Sequence, residues 1–182
     1  MTKTKRKKMM QALGYKNASA DEILKIQKKY FKRKKDRDGL AGPDTDTLIQ
    51  HVYNVNSTCK NFSPDEFRCQ CGACTGYPAA MQTGILKIGQ KMRDTEGTAI
   101  VTSGLRCKAY NQKVGGITNS EHCKGRAMDL VFLKKCKPAD LISHCKLAIK
   151  LGAAYAYCKT YASKGKLPAS APGMGNAVHI DK

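Results

Sequence analysis

The chain has 182 residues, 41% of them hydrophobic, with 33 Lys and Arg against 14 Asp and Glu for a formal charge of +19. That composition supports a folded core rather than wholesale disorder. No apolar run approaches the roughly 18 residues of a membrane span, which argues against stable membrane insertion.

The cationic excess raises the local concentration of any polyanion, whether nucleic acid, anionic lipid or anionic cell wall. The start, Met1-Thr2-Lys3-Thr4-Lys5-Arg6-Lys7-Lys8, is charged, and no apolar stretch follows it as in a secretory signal. The expectation is a protein made and folded in a cytoplasm without a signal peptide. Its nine cysteines cannot all pair with one another, and in such a compartment they begin as thiols.

From about 8 to 55 the pattern predicts three short helices. The second opens on Ser19 with Glu22 three places on, a capping-box pattern. Ile23, Leu24, Ile26, Gln27, Tyr30 and Phe31 follow at helical spacing. Lys28, Lys29, Lys32, Arg33, Lys34, Lys35 and Arg37 then form a basic run, read either as a solvated face or as a contact for a polyanion. Asp38-Gly39-Leu40-Ala41-Gly42-Pro43-Asp44-Thr45 demands a tight turn before a third helix carrying Leu48, Ile49 and Val52. The Leu13-Gly14-Tyr15 start, the Ile26-Gln27 pair and the Asp-Gly-x-x-Gly-Pro-x-Thr turn resemble the peptidoglycan-binding domain family. That resemblance implies a wall-binding unit over 1–57, against the plainer reading of a helical appendage. Polar residues across 56–64 make the natural linker.

The remaining chain, 58–182, reads as a second domain. A helix over 79–95 leads into a strand over 99–102, a glycine-rich polar stretch, a strand over 127–132 and a helix from Pro138 to near Gly152. Strand-like runs at 154–157 and 177–180 follow, separated by a loop rich in Gly, Pro and Ser. This order predicts an α+β domain with a small, mainly antiparallel sheet.

Two of the four histidines stand out, His122 in Ser120-Glu121-His122-Cys123-Lys124-Gly125-Arg126-Ala127-Met128-Asp129 and His179 in Ala177-Val178-His179-Ile180-Asp181. Asp129 falls in the middle of an apolar strand, where a carboxylate costs several kcal/mol unless it is paired or bound to a metal. Two imidazoles and a carboxylate are a familiar open zinc set that leaves the fourth position to water or substrate. The plainer alternative pairs Asp129 with Arg126 or Lys124.

The longer order Ser103-Gly104-Leu105-Arg106, Asn111, Val114-Gly115-Gly116, Ser120, His122, Gly125, Ala127, Asp129 resembles the zinc D-Ala-D-Ala carboxypeptidase family. That family also includes phage L-alanyl-D-glutamate endolysins and shares its metal site with the hedgehog signalling domain. The resemblance implies that His122, Asp129 and His179 bind Zn2+ and that Arg106 contacts substrate near the scissile bond. Ser120 and Asn111 are candidates for substrate or turn contacts. Many relatives carry Glu or Asp three residues before the last zinc histidine, or a histidine two before it; this chain has Asn176 and Ala177. Strand alternation puts Asp181 on the face of His179, as a catalytic carboxylate or as a partner that orients the ring, with Glu121 behind it as a candidate.

Cys69, Cys71 and Cys74 form a C-x-C-x-x-C cluster that suggests a structural metal clip, with Cys59 or Cys107 available as a fourth ligand. The leading expectation is a monomeric peptidase of the peptidoglycan stem, of endolysin or carboxypeptidase type. On that reading it has no nucleic-acid partner and acts on the wall after release from a phage-infected host. The alternatives are a nucleic-acid-binding protein with a cysteine-bound zinc, and a hedgehog-like module that keeps zinc without catalysis.

Overall fold

The computed structural model describes all 182 residues, and its longer helices and strands grow from recognisable local signals. Helix α1 spans Lys3–Ala12, and the Thr2 hydroxyl accepts from the Lys5 amide at 3.2 Å to cap it. Helix α2 spans Ala20–Tyr30 and α3 spans Pro43–Thr58, with Pro43 in the first turn, where its missing N–H costs nothing.

The capping box expected at Ser19 does not form. Ser19 holds the N-cap backbone conformation, but its own amide donates to Asn17 Oδ1 at 2.8 Å. Glu22 is diverted to the Lys16 amide at 3.3 Å and the Lys25 ammonium at 2.6 Å.

Gln27 organises the turn before α3. Its amide donates to Asp38 Oδ1, the Leu40 carbonyl and Thr45 Oγ1 at 2.9, 3.1 and 3.0 Å. Its carbonyl accepts from the Gly39 amide at 2.8 Å. Gly39 lies at φ +72, a left-handed conformation that favours glycine.

The expected linker is shorter and less free than its composition suggests. Asn56 and Ser57 extend α3, and the amides of Lys60 and Asn61 both donate to Gln90 Oε1, at 2.9 and 3.2 Å. One cluster of 31 buried residues runs from Met9 and Met10 through α2 and α3 into the sheet, so the three helices share an interior with the rest of the chain. His51 sits on that seam. Its Nε2–H donates to the Pro64 carbonyl at 2.9 Å, and its Nδ1 accepts from the Met81 amide at 3.2 Å.

The remainder is α+β. Helix α4 spans Thr83–Glu96, β1 Ala99–Ser103, α5 Lys108–Lys113, β2 Ala127–Phe132, α6 Pro138–Lys150, β3 Tyr155–Cys158, β4 Tyr161–Ala162 and β5 Val178–Asp181. The five strands form an open sheet in the order β1-β2-β5-β3-β4, and every neighbouring pair is antiparallel.

Helix α4 begins four residues later than its apolar spacing predicts. Met81 and Gln82 spend their amides on His51 and on the Gly125 carbonyl, which holds that stretch extended. The glycine-rich stretch contains the short helix α5, and the C-terminal loop contains the two-residue strand β4; both are too brief to leave a periodic signal.

Candidate metal centre

A single row of side chains crosses four strands on one face of the sheet. Ser103 on β1 pairs with Asp129 on β2, Asp129 pairs with His179 on β5, and His179 pairs with Tyr157 on β3. Directly opposed residues on antiparallel strands point the same way. The register therefore delivers an acid group and an imidazole to one spot from residues fifty apart in sequence. His122 arrives from a short 3-10 turn, Glu121–Lys124, that ends on left-handed Gly125 at φ +69. A side chain at Gly125 would collide with the Ala80 carbonyl at 2.1 Å, so glycine is required there on two counts.

The three donor groups converge. His179 Nδ1 lies 2.8 Å from Asp129 Oδ1 and 3.2 Å from His122 Nε2, and His122 Nε2 lies 3.4 Å from Asp129 Oδ1. All three residues are buried, at 2%, 4% and 7% exposure for His122, Asp129 and His179, which is unusual for such polar groups unless they share a purpose.

Each imidazole is oriented from behind. His122 Nδ1–H donates to the Gly104 carbonyl at 2.6 Å, which turns Nε2 inward. His179 Nε2 faces Asp181 Oδ2 at 3.4 Å, which turns Nδ1 inward. Outer hydrogen bonds of this kind fix the tautomer and angle of metal-binding histidines.

Electrostatics agree with the geometry. Burial by itself would raise the Asp129 carboxyl, but the charge and hydrogen bonds of His122 and His179 outweigh it and hold the group well below the usual carboxylate range. Burial pushes the His122 imidazole down. Burial also acts to lower His179, yet its hydrogen bonds to Asp129 and Asp181 raise it to about 9. The cluster is thus arranged around one positive charge, and a divalent ion entering it displaces a proton. Two imidazole nitrogens and one carboxylate oxygen, mutually close and braced from outside, fit zinc with a fourth position open.

Arg106 completes the site. Its Nη2 donates to Asp129 Oδ2 at 2.7 Å and its Nε to Ser103 Oγ at 2.7 Å. The partner of Asp129 is therefore Arg106. Arg126 and Lys124 both pair with Glu121, at 2.6 and 2.8 Å, which engages Glu121 away from the cluster.

Asp181 stands behind His179, on the ring edge remote from Asp129, a place that suits orienting the imidazole rather than meeting a substrate. Asn111 is buried and turned into its own loop, donating to the Ile117 carbonyl at 2.9 Å and packing against Gly116, where a Cβ would lie 2.1 Å from its Oδ1. Ser120 is buried at the start of the His122 turn, and its carbonyl accepts from the Cys123 amide at 3.1 Å.

Sequence reasoning assigns no role to two contributors. Tyr157 stacks on the His179 ring with centroids 4.6 Å apart, and its hydroxyl meets Ser170 Oγ at 3.2 Å. Gly104 orients His122 through its carbonyl, and only glycine fits there because a Cβ would lie 2.6 Å from Phe67 Cα. Strand pairing was the only signal that pointed to Tyr157, and it is not visible before the register is known.

Cys69, Cys71 and Cys74 gather together with Cys107, which directly follows Arg106. Cys59 is separate, with its thiol 3.9 Å from the Leu86 carbonyl.

Two comparisons with known proteins match part of this chain. The family described as Peptidase M15 matches residues 60–161, more than half of the chain. The zinc D-Ala-D-Ala carboxypeptidase of Streptomyces albus G is 35% identical over 103 residues, covering 51% of this chain and 40% of that protein's length. No solved structure matches closely enough to count as similar.

Proposed function

The chain belongs to the peptidase M15 family, and we propose that it is a zinc metallopeptidase that hydrolyses a peptide bond in the stem of bacterial peptidoglycan. The observation that carries this reading is the convergence of His122 Nε2, Asp129 Oδ1 and His179 Nδ1 beside Arg106. These three side chains would hold the ion. Zinc bound there supplies a Lewis acid for a scissile carbonyl and lowers the pKa of water towards neutrality.

The chain's own groups do the rest. Gly104 and Asp181 keep both imidazoles in the tautomer that turns a lone pair inward. Arg106 presents a rigid fork of donors beside Asp129, so it suits a substrate carboxylate or the oxygen on which negative charge grows. Tyr157 walls the His179 side and keeps that ring from turning.

The finer reading is an endolysin-like endopeptidase or a D-Ala-D-Ala carboxypeptidase with its wall-binding unit at 1–57. It is supported by the Gln27-centred turn and by the exposed Lys28, Lys29, Lys32, Lys34 and Lys35, which suit an anionic wall.

Digestion of purified peptidoglycan followed by mass spectrometry of the released muropeptides tests the proposal. Chelator-sensitive cleavage within the stem is the expected result. Loss of a terminal alanine alone would identify a carboxypeptidase, and separation of the stem at an internal bond an endopeptidase. Intact stems after prolonged incubation with zinc-loaded protein would overturn the reading.

A further inference from the structure

A second cluster of metal-binding groups lies outside the site described above. The sulfurs of Cys69, Cys71, Cys74 and Cys107 all fall within 4.8 Å of one another. Cys71 and Cys74 Sγ are 3.3 Å apart, well beyond the ~2.05 Å of a disulfide and near the ~3.8 Å edge of a tetrahedron with 2.3 Å zinc–sulfur bonds. From these residues we propose a structural four-thiolate site for a soft divalent cation, zinc by its chemistry.

Three further observations support it. First, the backbone is arranged to receive thiolates. The amides of Ala73 and Cys74 point at Cys71 Sγ at 3.3 and 3.2 Å, and the Gly76 amide points at Cys74 Sγ at 3.3 Å. The Cys107 amide points at Cys69 Sγ at 3.3 Å, and the Tyr110 amide at Cys107 Sγ at 3.4 Å. Such N–H groups stabilise negative sulfur and have little to offer a neutral thiol.

Second, the segment from Cys69 to Tyr77 contains neither helix nor strand, and its two glycines, Gly72 and Gly76, lie at φ +70 and +96. An irregular loop of this length needs a cross-link or a core to stay in one conformation, and Cys71, Gly72, Ala73 and Cys74 are not buried. Third, the Arg33 guanidinium, paired with Asp36 at 2.6 and 2.9 Å, bonds the carbonyl of Ala73, which lies between Cys71 and Cys74 in sequence, and so ties a cationic group to the loop.

The site clamps the loop to the catalytic motif. Cys107 directly follows Arg106, and the Leu105 amide donates to the Phe67 carbonyl at 2.7 Å. A metal joining Cys107 to Cys69, Cys71 and Cys74 thus fixes the strand exit that carries Gly104 and Arg106. It is a positioning device, and with four thiolates around it the ion has no open position for substrate.

The test is metal content and zinc X-ray absorption of the full chain, expressed with zinc and purified reduced. Two zinc ions per chain are expected, with a mixed shell of sulfur and nitrogen or oxygen. The His122→Ala, Asp129→Ala double variant keeps one ion with a purely sulfur shell at about 2.3 Å. The Cys71→Ser, Cys74→Ser variant keeps one ion with a nitrogen and oxygen shell. One zinc per chain with no sulfur in the shell of the unaltered protein overturns the proposal without any variant. So does a Cys71–Cys74 disulfide found by mass spectrometry after alkylation without reduction. Neither result bears on the peptidase reading, which stands or falls on the His122 and Asp129 site.

Discussion

His122 gives its Nδ1 proton to the carbonyl oxygen of Gly104 at 2.6 Å, and that bond decides which ring nitrogen faces Asp129. It links the two parts of the sequence motif. The Ser-Gly-x-Arg segment contributes not only Arg106 but the backbone oxygen that aims a metal ligand. Gly104 can do this because it lies flat against Phe67, where a Cβ would come within 2.6 Å of Phe67 Cα.

Gly104→Ala therefore moves backbone against backbone, with no flexible side chain to yield. The expected result is a loss of about 1–3 kcal/mol in stability from overpacking and a drop of about 10- to 100-fold in zinc affinity as His122 loses its brace. Competition with a chelator of known affinity, alongside denaturant unfolding, separates the two effects. Unchanged zinc affinity would show that the carbonyl does not position the ring.

Chelation is expected to abolish peptidoglycan cleavage and zinc to restore it. Asp129→Asn preserves shape but removes the charge that offsets the cation, and it also leaves Arg106 facing a neutral amide. Activity should fall by more than the ~100-fold typical of outer hydrogen-bond partners, because a ligand itself is lost. Zinc content measured on the same sample ties the loss to the metal.

Arg106→Ala should leave zinc bound while lowering kcat by about 10²- to 10³-fold, the usual cost of one donor aimed at developing negative charge. Arg106→Lys should recover little, since a lysine cannot hold Ser103 and Asp129 with one planar fork. A full-rate Lys variant would reduce the role of Arg106 to its charge.

Much of this site is legible in the sequence. His122, Asp129, His179 and Arg106 were picked out by the residues around them and by the oddity of an acid inside an apolar strand, and the α+β class followed from the order of strands and helices. What the sequence did not reveal depends on long-range register and on competition between partners. Asp129 and His179 share a row only because β2 and β5 pair as they do. The capping box at Ser19 fails because Asn17 takes the Ser19 amide that Glu22 would have met. The start of α4 yields to His51 and Gly125, and the region 56–64, polar enough for a tether, is held by Gln90. No local pattern announces a contact made across thirty residues.

Asp181 offers a sharper distinction. Both of its candidate roles follow from strand alternation, but its carboxylate meets His179 Nε2 at 3.4 Å, behind the ring. Asp181→Asn is therefore expected to weaken zinc binding by about 10- to 100-fold. At saturating zinc, kcat should stay within several-fold of the unaltered protein. A large fall in kcat with the metal site full would return Asp181 to the chemistry itself.

His51 sets an acid limit on the fold. Burial holds its imidazole down at about 4, well below its ordinary value, with the Pro64 hydrogen bond and the Asp65 charge acting the other way. The neutral ring is the one that fits, because Nε2–H must donate to Pro64 while Nδ1 accepts from Met81. A group whose pKa is lower in the folded chain than in the unfolded one contributes fully above the unfolded value, near 6.5, and progressively less as pH falls towards 4. The contribution amounts to about 3 kcal/mol and acts where the N-terminal helices meet the sheet. Denaturant unfolding at pH 7 and pH 5 should show a steeper loss for the native chain than for His51→Gln, whose amide can still donate and accept but does not titrate. Equal losses in the two proteins would mean that the acid sensitivity of the fold arises elsewhere.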